Sequence, residues 1–542
     1  MAPRIEPPIP IIKIVLNFLN FLNFISNLEL FIKYFKRPST PENPGRAIVD
    51  GLMELCDNLE INPKDIKRLC HGTTVATNSL IQRSGGKVAL ITTQGFRDLL
   101  EIGRQTRPHM YSLQEDQPKP LVPRDRRFEA LERTDSNGKI IKKLDEEELQ
   151  KVLDAIQACG ADSVAVCCLF SFLNKKTELK IGKLVRQRFP NITLSLSSKV
   201  RPEFREYERC STTVLNAFLQ PVMDNYLSLL EKQLSKYIPN APIRIYQSSG
   251  GLMSVKTSKE FPIRTALSGP AAGVVGAAYS AQASKDPNVV TLDMGGTSAD
   301  VALIRNYDAG ISSDREVAGF PVRLPMVDIH TVGAGGGSIS WLDRDGLMKV
   351  GPSSAGANPG PACYGLGGTD PTVTDANLVL GRLSTGGLIG GAMELNINAA
   401  RIAMQKLANE LGFTIEKTAQ GIIGIVVANM VRAVRTISVE RGHDPRNYTL
   451  MPFGGAGPLH GSEVARAMEM KKIIIPAAPG ILCAQGLIAS DLKEDFVRSG
   501  RFPLNKDWSS EIIKIMRTLG QEAKNWCKIE KIPVANQHFS VT

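Results

Sequence analysis

Residues 289–304 read VVTLDMGGTSADVALI. An apolar run closes on Asp293, a Gly295-Gly296-Thr297-Ser298 turn follows, and a second apolar run opens at Asp300. Two such runs joined by a short glycine turn predict a β-hairpin. Backbone N–H groups in a turn of this kind converge on an anion, and glycine lets the chain approach phosphate oxygens with no Cβ in the way. Thr297 and Ser298 add hydroxyl donors, while Asp293 and Asp300 are the residue type that holds Mg²⁺, directly or through water. A plain hairpin has no need of acidic residues on both sides of its turn, so the pattern favours a phosphate loop.

A second cluster, PFGGAGPLHG at 452–461, follows the strand-like YTLM and precedes the helical SEVARAMEM. Strand, glycine turn and helix N-terminus make a general nucleotide-holding geometry. Gly454, Gly455 and Gly457 are its candidate residues. Further out, Ile48, Leu52, Leu55 and Leu59 are spaced for one face of a helix over 46–60. Residues 87–93 predict a buried strand, 145–158 a helix, 162–170 an apolar β-run and 176–188 a helix. That alternation favours a parallel βαβ architecture. Residues 201–236 predict a long helical region broken at Pro221.

The chain has 542 residues, with 65 Lys+Arg against 54 Asp+Glu and a formal charge of +11. At about 100–200 residues per domain, this length implies three or four domains. The 43% hydrophobic content excludes wholesale disorder. Basic residues form no stripe interleaved with aromatics, so a nucleic-acid partner is not expected. The nine cysteines contain no CxxC pair, which suits reduced thiols in a cytoplasmic protein.

Residues 9–35 are apolar, yet Asn17, Asn20, Asn23 and Asn27 would form a polar stripe on one helix face. Four Asn and Lys13 argue against membrane insertion, and the stretch lacks a small-residue cleavage pattern. The expectation is a helix without catalytic duty, followed by a linker marked by Pro38, Pro41 and Pro44.

With these motifs in view, the sequence resembles the hydantoinase A/5-oxoprolinase family of the superfamily that holds actin, the sugar kinases and the heat-shock ATPases. LDMGGTSADV resembles the family's second phosphate loop and FGGAGPLH its adenosine-side loop. HGTTVATNSLIQRSGGKVALITTQGFRDLLEIGRQ at 71–105, EFREYERCSTTVLNAF at 203–218 and YQSSGGLMS at 246–254 fit as well. So do ALSGPAAGVVGA at 266–277, VDIHTVGAGGGSISW at 327–341, the Gly- and Pro-rich stretch 351–383, and 438–461, all in family order. The resemblance runs over about residues 38–495.

It implies an α/β, two-lobed actin/sugar-kinase-like ATPase fold with ATP and Mg²⁺ in the cleft. The implied activity is ATP-dependent hydrolysis of a cyclic amide of hydantoin or 5-oxoproline type. The chain would act as the A-type subunit beside a hydantoinase B-type partner. Phosphorylating the amide oxygen makes its carbon an electrophile that water can open. The alternatives are a subunit of an ATP-dependent ketone carboxylase and a degenerate, non-catalytic relative.

Carried over, Asp293, Gly295, Gly296, Thr297, Ser298 and Asp300 would face the phosphates and metal, and Gly454, Gly455 and Gly457 the nucleoside. His71, Thr73, Thr74 and Asn78 form a polar turn that faces phosphate or substrate, or is structural. Arg104, near Glu101, suits a carboxylate or imide oxygen, or a surface ion pair. Asp328 and His330 would alternate on one strand face and bind a metal, against the reading of a satisfied core histidine. Cys363 ranks lower, as one isolated Cys, and Arg205–Arg209 reads as a solvated helix face.

The family opens with a first phosphate loop, Asp-x-Gly-Gly-Thr-x-Thr-Asp. Residues 1–37 hold no Gly, so the expected N-lobe is incomplete. The C-terminal side is short as well, as if the chain were cut at both ends. The expected divisions are an extension over 1–44, an N-terminal region over 45–200, an ATPase region over 201–495 and the start of a further domain over 496–542.

Overall fold

The computed structural model describes residues 12–15, 33–37, 40, 43–106, 117–387, 393–500, 502 and 507–541. The sheet that carries the hairpin decides the rest. Val289–Met294 pairs antiparallel with Ala299–Arg305, which places Asp293 directly opposite Asp300. On its other edge Val289–Met294 pairs in parallel with Thr449–Phe453, and Asp293 lies level with Phe453. Asp308–Ala309 and Ile329–Val332 complete the five strands. Val289–Met294 and Thr449–Phe453 are buried almost throughout, as a sheet covered on both faces demands. One face packs on Val373–Val379, Ile397–Leu411 and Ile415–Ile437 through Ile422, Val426, Met430 and Val434. The helical stretch Ile415–Arg441 is long and apolar enough to cross a membrane, but these residues spend its apolar face in the core.

The N-terminal half brings a parallel four-stranded sheet, ordered Arg127–Ala130, Val88–Thr93, Ser163–Cys167, Thr193–Leu196. Its helices Glu146–Cys159 and Lys176–Arg188 start within a residue of where the hydrophobic spacing puts them. Asp145 accepts from the N–H groups of Glu147 and Glu148, which caps the first helix. A three-stranded sheet of Leu69–His71, Ile243–Tyr246 and Leu252–Ser254 lies beside it. The helix Glu206–Leu234 spans the cores of this half, contributing Cys210, Leu215 and Leu219 to one and Leu230 and Leu234 to another. The ordering of helices and sheets is that of an α/β ATPase-like fold.

Three expectations are corrected here. The helix Glu206–Leu234 is continuous through Pro221. The Phe218 carbonyl, three residues before the proline, accepts the Gly86 N–H at 2.8 Å, and a Cβ on Gly86 would lie 2.7 Å from the Pro221 ring. The carbonyl that the proline deprives of a helix donor is that of Ala217, one residue earlier, and the Gly86 contacts brace the adjoining turn. Within 9–35, Ile12–Val15 is a strand, paired antiparallel with Tyr34–Arg37. A helix through 12–15 is therefore excluded, and the Asn17, Asn20, Asn23 and Asn27 stripe lies outside the described residues, as do Pro38 and Pro41. Pro44 is no linker residue but opens the helix Pro44–Asn58.

Candidate functional site

Parallel pairing of Val289–Met294 with Thr449–Phe453 brings both glycine bends to the same, carboxyl end of the sheet. Ligands of open α/β sheets gather at that end. Gly454 has φ +85°, and a Cβ there would stand 2.3 Å from Asp293 Oδ1 and 2.5 Å from the Met294 carbonyl oxygen. Only glycine permits this turn at this distance. The Ala456 N–H donates to the Met294 carbonyl at 2.9 Å, and the helix Gly457–Ala467 begins there.

A third glycine bend, absent from the sequence reading of the nucleotide loops, closes the set. The Gly336 and Gly337 N–H groups donate to the Gly295 and Gly296 carbonyls at 3.0 and 2.6 Å. A Cβ on Gly335 would lie 2.5 Å from the Gly296 carbonyl carbon, and one on Gly336 3.8 Å from both Ala456 Cβ and the Gly295 oxygen. The three bends are therefore one backbone-to-backbone assembly. The run VGAGGGS after a strand was its signal. A Cβ on Gly296 or Gly455 would meet nothing within 4 Å, so these two glycines face open space.

Asp293 and Asp300 head this assembly from opposed positions on adjacent strands. Thr331 Oγ1 donates to Asp300 Oδ1 at 2.5 Å. Burial, reinforced by the facing Asp293, pushes the Asp300 carboxyl up to about 7 despite that hydrogen bond. The residues fit a Mg²⁺ that brings phosphate and water for most of its ligands: two facing carboxylates, backbone amides in tight bends and an open front. Cys483, which the sequence left unassigned, donates to Asp293 Oδ2 at 3.4 Å from the helix Leu482–Ala489.

That short helix is pressed against Ser268–Ser284. A Cβ on Gly486 would lie 1.9 Å from the Ala272 carbonyl oxygen, and one on Gly276 2.6 Å from the Leu482 carbonyl oxygen. It also reaches the polar turn at His71, since a Cβ on Gly72 would be 3.5 Å from Leu487. Within that turn, His71 Nε2 meets Tyr226 Oη at 2.7 Å, and burial lowers the imidazole to about 4. Ser268 Oγ donates to the Thr73 carbonyl, and Leu267 N–H to Thr77 Oγ1. The turn thus seats the start of the helix Ser268–Ser284.

Arg104 is engaged elsewhere. It binds Glu208 through two parallel bonds of 2.8 and 2.6 Å, on a cleft of about 460 Å³ that also includes Tyr207 and Lys119. None of the three glycine bends contributes to that cleft. Glu101 pairs with Arg127 at 2.8 Å.

The metal reading of Asp328 and His330 is corrected. Asp328 lies between the strands Phe320–Val327 and Ile329–Val332, where Arg315 (2.9 Å) and Arg441 both hold its carboxylate. Two guanidinium groups satisfy that carboxylate and repel a cation. The same arginines, after burial, lower His330. Among the described residues no group of three or more His, Cys, Asp or Glu is placed to hold a metal ion. Arg209 is fully buried, not solvated, with bonds to Ser197, the Glu203 and Cys168 carbonyls, and Glu206. Cys363 is buried with its thiol pushed up, and its N–H donates to Asp375.

Comparison with known proteins follows the same lines. Caprolactamase subunit alpha of Pseudomonas jessenii is 40% identical over 471 residues, 86% of this chain and 68% of the relative. An uncharacterized protein of Methanocaldococcus jannaschii is 39% identical over 93% of this chain and 75% of its own length. 5-Oxoprolinase 1 of Arabidopsis thaliana is 33% identical over 84% of this chain but only 39% of its own length. Among solved structures, the ATP-dependent caprolactamase of Pseudomonas jessenii superposes with a TM-score of 0.80 at 36% identity, covering 92% of this chain and 73% of that one. Nucleotide-free acetone carboxylase gives 0.74 at 27% identity, covering 85% and 67%. The hydantoinase/oxoprolinase N-terminal region matches residues 25–189 and the hydantoinase/oxoprolinase domain residues 209–496, and the chain belongs to that family.

Proposed function

We propose that this chain binds ATP with Mg²⁺ between its glycine bends and uses it to activate a cyclic amide, as the A-type subunit of a two-subunit hydrolase. The observation that carries the reading is the convergence of residues 295–298, 335–337 and 454–457 around Asp293 and Asp300. Asp293 and Asp300 would hold the metal, and Thr297 and Ser298 would donate to phosphate oxygens. The N-terminus of the helix Gly457–Ala467 would offer its positive end to the nucleotide. When bound, ATP would supply a phosphoryl group to the amide oxygen, making its carbon an electrophile for water; the ring C–N bond then breaks and phosphate is released. The chain's own residues bind, orient and balance charge. Relatives named as caprolactamase and 5-oxoprolinase support the substrate class, and the name subunit alpha supports a partner chain.

The likeness to acetone carboxylase keeps a second reading, in which a ketone enolate oxygen is activated for carboxylation. Phosphate release from ATP, measured with and without a B-type subunit, separates the two. Hydantoin, 5-oxoproline or caprolactam as stimulants favour hydrolysis, and a ketone with bicarbonate favours carboxylation. Asp293→Asn should lower the stimulated rate by about 100-fold or more. A variant rate equal to wild type would sink the site assignment.

A further inference from the structure

The carboxylate of Asp293 is gripped on both of its oxygens. A Cβ on Gly454 would lie 2.3 Å from Oδ1, so that oxygen rests against the Gly454 backbone. Oδ2 accepts the Cys483 thiol at 3.4 Å. The terminal torsion of an aspartate is broad and roughly two-fold, so a carboxylate left to itself turns between orientations. A donor held on one oxygen removes that freedom before any cation arrives.

Such a donor is effective only if its own place is fixed. Cys483 is the second residue of the helix Leu482–Ala489, which is wedged through Leu482 and Gly486 against the backbone of Ser268–Ser284. Just ahead of that helix, the Pro479 carbonyl accepts the Gly454 N–H at 2.9 Å. The bend that supports Oδ1 is therefore hydrogen-bonded to the segment that delivers the thiol to Oδ2. The Cys483 side chain is half-buried, and a Cβ on Gly273 would lie 3.2 Å from its sulfur and 2.9 Å from the Phe453 ring. Phe453 is the residue level with Asp293 on the neighbouring strand. Glycine at 273 thus leaves the thiol its room between that ring and the carboxylate.

We propose that Cys483 is a positioning residue for the metal, its thiol setting the orientation in which Asp293 meets Mg²⁺. This role rests on the reading of Asp293 as a metal ligand for ATP and adds to it a donor from outside the three glycine bends. Partners that orient a ligating carboxylate are worth about 10–100-fold in metal affinity. A thiol is a weak donor, which puts Cys483 at the lower end of that range. A cysteine that merely fills space acts as a small apolar side chain, and serine tells the two roles apart because it keeps the donor and loses the apolar sulfur.

The test is calorimetric titration of the full chain with an imido-bridged, non-hydrolysable ATP analogue, over a series of Mg²⁺ concentrations and in EDTA. Wild type should bind the analogue more tightly with Mg²⁺ than in EDTA. Cys483→Ala should raise the Mg²⁺ concentration at half-saturation about tenfold and leave the affinity in EDTA as it was. Cys483→Ser should return to within about twofold of wild type. Wild-type Mg²⁺ dependence in Cys483→Ala, a Cys483→Ser no better than Cys483→Ala, or a loss as large in EDTA as in Mg²⁺ would each overturn the inference. Asp293→Asn separates that failure from failure of the nucleotide reading. A normal Cys483→Ala beside an impaired Asp293→Asn removes the role of the thiol alone, whereas wild-type Mg²⁺ dependence in Asp293→Asn removes both.

Discussion

His460 is wholly buried, its Nε2 3.3 Å from Asn377 Nδ2. Burial lowers it to about 4; Glu463 opposes that shift and Arg382 assists it. The sign of its effect on stability follows directly. As pH falls through 6.5 the unfolded chain takes up a proton that the native imidazole refuses until about 4, so stability drops between those values. At pH 5 the loss is about 2 kcal/mol from this one group. Denaturant midpoints at pH 7 and pH 5 should therefore differ less in His460→Gln than in wild type. His71 shifts in the same direction, also to about 4, and the double variant should flatten the profile further. Single residues also mark the limit of sequence reading. The pairing of Asp293 with Asp300 was legible because the hairpin register that joins them is local. Asp328 was misread because one of its two arginines, Arg441, is 113 residues away. Cys483 carried no signal, since its contact with Asp293 spans 190 residues.

Among the elements, Leu482–Ala489 and Ser268–Ser284 form the tightest pair. Gly486→Ala would put a methyl group 1.9 Å from the Ala272 carbonyl oxygen, and neither helix backbone can yield without losing hydrogen bonds. We expect a loss of about 3 kcal/mol or more, read as a lower denaturant midpoint. Gly424→Ala serves as a contrasting control, because a Cβ there meets nothing within 4 Å. A midpoint unchanged in Gly486→Ala would remove the case for close helix contact. Elements with strong periodicity were legible: the spacing predicts a helix over 176–188, and the structure has Lys176–Arg188. Pro221 was not, because the sequence marks a lost donor but not the Gly86 contacts that brace the same stretch of helix. The apolar 9–35 stretch misled for a related reason. Short apolar runs fit helix or strand equally well by composition, and the partner strand decides.

Across the whole molecule, strands 160 residues apart become neighbours, and that parallel register places two remote glycine bends side by side. Sequence gives each bend alone; the resemblance to a family supplied their pairing. The helix Ser509–Ile529 is tied back over a longer span, 286 residues, by the residue that follows it. Glu530 meets Arg244 at 2.5 Å with both side chains mostly buried, and Trp526 stands edge-on to Phe496. Glu530→Ala leaves the arginine unpaired and should cost about 3 kcal/mol. Limited proteolysis should then release the C-terminal helix faster than in wild type; equal rates would argue that the ion pair is not its anchor. The short helix Leu482–Ala489 has a mechanical consequence of its own. One side of it abuts the His71 turn and another carries the thiol on Asp293, and its backbone is in hard contact with a third element. So close a joint ties the position of Asp293 to that of the His71 turn, and a change that shifts one of them should be felt at the other.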